Sequence, residues 1–103
     1  MKRALVLALA IVSSAEAADV VVGGTLHGAT LRDWRAASSA NQLATVADII
    51  EKFLNLRDPL AVAPKARAVQ SCVSRVAANF TRGAQTVADT SIACMAELGY
   101  LQR

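Results

Sequence analysis

Three stretches of the chain repeat an apolar residue every three or four positions, a spacing that predicts α-helices rather than strands. Leu43, Val46, Ala47, Ile50, Phe53 and Leu54 share one face of a helix, with Asp48, Glu51 and Lys52 on its outer side. Val69, Cys72, Val73, Val76, Ala77 and Phe80 line a second helix; Val87, Ser91, Cys94, Met95 and Leu98 line a third.

Polar residues mark where these helices start. Thr30-Leu31-Arg32-Asp33, Ser39-Ala40-Asn41-Gln42 and Thr86-Val87-Ala88-Asp89 all have capping-box spacing. In that arrangement a hydroxyl accepts the N–H three residues on, and the fourth side chain reaches back. The first box predicts a short helix carrying Trp34 as far as Ala37. Asn55 to Pro64 reads as a connector, with Pro59 breaking the helix before it and Pro64 in the first turn of the next. Gly83 and Gly99 read as helix-ending residues. The expected fold is all-α: a small antiparallel bundle of three to four helices, spanning residues 30–103.

Two N-terminal regions break this pattern. Ala4 to Val12 is an unbroken apolar run behind Lys2-Arg3, followed by Ser13-Ser14 and then Ala15-Glu16-Ala17. That order reads as a signal peptide over residues 1–17, cut between Ala17 and Ala18. The run is too short for a membrane span, which needs about 20 residues. No later run is longer, so no stable span is expected after cleavage. Residues 18–29 include Gly23, Gly24 and Gly28 and read as a flexible, glycine-rich arm.

Export, to a periplasm or outside the cell, permits disulfides. Cys72 and Cys94 are equidistant from Gly83, and each lies on the apolar face of its own helix. In an antiparallel hairpin such positions are level and facing, so a disulfide-stapled C-terminal hairpin is expected. Closing a loop of this length contributes about 3 kcal/mol in the chain-entropy account. Two cysteines and the lone His27 do not make a structural zinc set, and neither metal nor cofactor is expected.

Trp34, Phe53, Phe80 and Tyr100 are the only aromatic residues. The core should therefore be thin, and a homodimer is one way to complete it. The net charge of +3 becomes +2 without Lys2, Arg3 and Glu16. The basic residues are scattered among acids, which argues against a nucleic-acid track.

Candidate chemistry is sparse. His27 lies in the arm, outside any framed pocket, and a small hydrolase built on it is a further alternative only. Gly23 and Gly28 have the gap of a phosphate loop, but Ala29-Thr30 stand where Lys-Ser/Thr is required. Asp33 and Asp89 are committed to helix caps. The expected class is a non-catalytic exported protein that binds a protein partner, as an adaptor, inhibitor or immunity protein would. Trp34, flanked by Arg32 and Arg35, and the edge around Ser91 are the partner-contact candidates. For Trp34 the competing role is a lid over the core. For Ser91 it is a bond back to a helix carbonyl.

Thr30-Leu31-Arg32-Asp33-Trp34, followed by a serine-capped helix, resembles the opening of the small periplasmic acid-stress chaperones of the HdeA/HdeB type. That family has a cysteine where this chain has Leu31, whereas both cysteines here lie in the C-terminal half. The resemblance implies a stress holdase that exposes apolar helix faces, an alternative to dedicated partner binding. Size and export signal are also similar to small periplasmic immunity proteins, which would make the partner a toxin.

Overall fold

Four α-helices follow one another in the computed structural model, which describes residues 23–101. They are α1 (Leu31–Ala36), α2 (Ser39–Leu54), α3 (Pro59–Ala77) and α4 (Val87–Glu97), with a 3-10 turn at Phe80–Arg82. The chain is all-α as expected, and the helices pack on one another as a small bundle. The signal peptide, the Ala17–Ala18 junction and residues 18–22 of the arm lie outside the described residues. No described helix is long and apolar enough to cross a membrane.

The caps explain where the helices begin. Thr30 Oγ1 accepts the Asp33 N–H, and the Asp33 carboxylate accepts the Thr30 N–H, both at 3.4 Å, a complete capping box. Thr86 Oγ1 accepts the Asp89 N–H at 3.1 Å. The two caps also pair with each other. Leu31 N donates to Gln85 O and Val87 N to Ala29 O, each at 2.8 Å, in an isolated antiparallel bridge at Thr30 and Thr86. α1 and α4 therefore start side by side.

α2 begins one residue before the predicted box. Ser38 is its cap, taking the Asn41 N–H at 3.1 Å. This frees Gln42 from reaching back. Its Nε2 instead donates to Trp34 O at 2.7 Å, a second bond to the carbonyl that takes the Ala37 N–H at 3.1 Å as α1 ends. α4 closes as predicted at Gly99, whose φ of 81° allows two bonds. Gly99 N donates to Ala96 O and Tyr100 N to Met95 O, a Schellman closure.

Pro59 takes the role expected of Pro64. Pro59, not Pro64, opens α3, behind an Asp58 cap, and Pro64 lies inside the helix. The carbonyl left without a donor by Pro64 is that of Leu60, a residue 85% exposed, where solvent can serve it. The other end of α3 also differs from expectation. The helix stops at Ala77, not Gly83, because Asn79 Oδ1 captures the Thr81 N–H at 3.0 Å and starts the 3-10 turn. The change of phase turns Phe80 outward, 75% exposed, where the periodicity had placed it in the core. Phe53, also expected in the core, is 52% exposed.

The core lies where α2, α3 and α4 meet, with α1 laid across α3. Val46, Ile50, Val62, Val69, Val73 and Met95 are fully buried there. Cys72 and Cys94 form the expected disulfide between α3 and α4, with Cα atoms 6.0 Å apart. The described part of the arm is not loose. Asn41, Thr45 and Asp48 form a polar stripe along α2, and their side chains accept the N–H groups of Thr25, Leu26 and Gly24 at 2.9, 3.2 and 2.9 Å. Asp48, expected to face outward, lies under this segment. Leu26 is pulled into the core, 8% exposed. The fit requires Gly24, since a Cβ there would clash with Thr45 Oγ1 and the Thr45 backbone.

Candidate interface at the Phe80 turn

The end of α3 brings an exposed aromatic ring and several arginines together. The helix stops with Ala77, and the Ala77 carbonyl accepts a bond from Arg35 Nη1 at 2.7 Å. A cation is favoured at the C-terminal end of a helix. The same guanidinium lies 4.0 Å from the centre of the Phe80 ring, a cation–π contact. One arginine thus orients the exposed ring and ties it to the bundle.

Three more arginines lie close to this turn. The Arg32 backbone N–H donates to Gly83 O at 3.2 Å. Its guanidinium packs on the turn, so that a Cβ at Gly83 would stand 3.4 Å from Nη2. Gly83 itself is in the ordinary right-handed helical region, and a Cβ there would make only ordinary van der Waals contact with this guanidinium. Arg82 Nη1 donates to Gln85 Oε1 at 3.0 Å. Arg75 and Arg82 line a shallow groove of about 340 Å³ that also includes Asn79, Gln85 and Glu97.

Among the described residues, no arginine or lysine lies within 4.0 Å of a carboxylate; the single ion-pair contact joins His27 and Asp48. Of the nearby acids, Asp33 and Asp89 have helix-capping positions, while Glu97 lines the groove without coming within 4.0 Å of a guanidinium. Asp33 accepts the Thr30 N–H, and Asp89 sits in the first turn of α4.

Of the contact candidates read from the sequence, the structure brings Arg32 and Arg35 into this cluster and places the other two inside. Trp34 is 1% exposed, with its indole N–H donating to Ser74 Oγ at 3.1 Å. In the folded bundle it leaves almost no surface for a partner. Ser91 is fully buried, not at an exposed edge, and its hydroxyl has no hydrogen-bond partner. Phe80 and Arg82 were missed. The signal that could have found them is Asn79-Phe80-Thr81, where an Asx turn straight after a helix resets the periodicity.

His27 also sits differently from expectation. It lines an open groove of about 350 Å³ with Asp48, Ile49, Glu51, Lys52, Phe53 and Arg57. Its Nε2 lies 3.0 Å from Asp48 Oδ2. A His–Asp pair can move a proton, but the described lining contributes no hydroxyl or thiol for it to activate. No group of three His, Cys, Asp or Glu side chains suited to a metal ion occurs among the described residues.

In comparisons with family models, curated proteins and solved structures, nothing matches this chain.

Proposed function

We propose that this protein is exported and non-catalytic, and that it binds a protein partner through the Phe80 end of its bundle. The observation that carries the reading is the placement of Phe80. A large apolar side chain stands 75% exposed on a turn held by Asn79, Arg35 and the α1–α4 bridge. Exposing such a ring gives the isolated fold only the Arg35 contact, about 0.5–1 kcal/mol, whereas an aromatic beside arginines is the composition of binding hot spots. The disulfide fits an oxidising compartment, which agrees with the export signal read at residues 1–17.

The test compares wild-type protein with Phe80→Ser, each recovered natively from the host envelope. The reading expects a stoichiometric companion on the wild type that is lost from the variant, while both unfold at temperatures within a few degrees of each other. A companion held equally by both, or no companion on either, would overturn it.

A further inference from the structure

We infer that the partner presents an acidic protein segment to this surface: carboxylates for Arg32, Arg35 and Arg82, and an apolar side chain against the Phe80 ring. This rests on the partner-binding reading above and adds the partner's chemistry.

Three observations carry it. First, the positive charge at this end has no carboxylate within 4.0 Å among the described residues, so the guanidiniums keep their pairing capacity for another molecule. Second, every cation here is arginine. Its planar fork matches a carboxylate in two parallel bonds, which a lysine ammonium cannot do. Third, two of the forks are already oriented. Arg35 is fixed by Ala77 O and the Phe80 ring, and Arg82 by Gln85. Groups held before contact lose less freedom on binding.

The surface suits a protein better than other anions. Single-stranded nucleic acid needs a row of stacking aromatics along a basic groove, and here one ring is exposed, with Arg35 already over it. A lipid surface needs a broad apolar face beside its cations, and Phe80 stands alone at this end.

The experiment is photocrosslinking in the native host with the full chain. A benzoylphenylalanine replaces Phe80 in one strain. In a second strain it replaces Leu60, which is 85% exposed at the opposite end of α3. The Phe80 probe is also combined with Arg32→Gln and Arg82→Gln, two exposed positions whose change leaves the Arg35 anchor in place. The expected result is a crosslink from position 80 to a protein segment of net negative charge. Its yield should fall roughly tenfold when both arginines are neutralised, with the disulfide still formed.

A crosslink from position 80 to a neutral or basic segment, to lipid or to nucleic acid overturns the inference. So does a yield indifferent to the arginines. Protein crosslinks from position 60 alone overturn the inference and leave partner binding standing, at another face. Crosslinks to protein from neither position remove both.

Discussion

Ser91 shows that a side chain's place on a helix face does not settle its bonding. Its place on the apolar face of α4 was legible from spacing. Its hydroxyl is fully buried and unbonded, and an unpartnered buried polar group is destabilising. Ser91→Ala should therefore raise stability by about 1 kcal/mol, read as a higher urea midpoint with unchanged slope. A fall of similar size would show that the hydroxyl has a partner. Trp34 gives the opposite case. Its Nε1 bond to Ser74 and its burial are structural. Trp34→Phe should cost about 1–2 kcal/mol, from one hydrogen bond and some lost packing. Companion binding should survive at temperatures where the variant stays folded. A variant of normal stability that loses the companion would return Trp34 to the interface.

Among the elements, local rules located most helix starts and missed the places where two rules compete. Thr30 and Thr86 cap as their spacing says, each taking the N–H three residues on. Two serines compete at α2, and Ser38 wins while Gln42 serves the end of α1. Two prolines compete at α3, and Pro59 takes the first turn because Asp58 can cap it. The docking of the described part of the arm, residues 23–29, was not legible for a different reason. Glycines near a terminus look mobile in sequence, whereas the partners that hold this segment, Asn41, Thr45 and Asp48, lie sixteen to twenty-four residues away. Periodicity alone sorted Asp48 to the outer face of α2. Gly24→Ala tests the docking. The added methyl meets Thr45 side chain and backbone, both within 3 Å, so the segment must lift and Leu26 must leave the core. The expected loss is about 1–3 kcal/mol, with faster hydrogen exchange at the Leu26 amide. Unchanged exchange there would mean that the arm is not held by this contact. The candidate interface was legible only in part, for the same physical reason: Arg32 and Arg35 were found from composition, but Phe80 was assigned to the core by a helical period that Asn79 interrupts.

For the whole molecule, the staple matters because the core is thin. Trp34 is the only aromatic among the buried core residues, since Phe53 and Phe80 are exposed and Tyr100 is only partly buried. The Cys72–Cys94 bond closes a loop across 22 residues, for which the chain-entropy account gives about 3 kcal/mol. In a domain this small that is a large share of total stability. The Cys72→Ser, Cys94→Ser double variant should lose about that amount, seen as a lower unfolding temperature and, for a marginal fold, a partly unfolded population at 37 °C. A double variant as stable as wild type would show that helix packing alone supports the bundle.

The central claim is an exported, stapled bundle that serves a protein partner, and native mass spectrometry of the untagged protein from its host's envelope fraction tests it most directly. The account predicts a chain beginning at Ala18, protected from thiol alkylation until reduced, and present in a defined complex with a second protein. A chain that retains residues 1–17, alkylates at both Cys72 and Cys94 without reduction, and flies alone would contradict it.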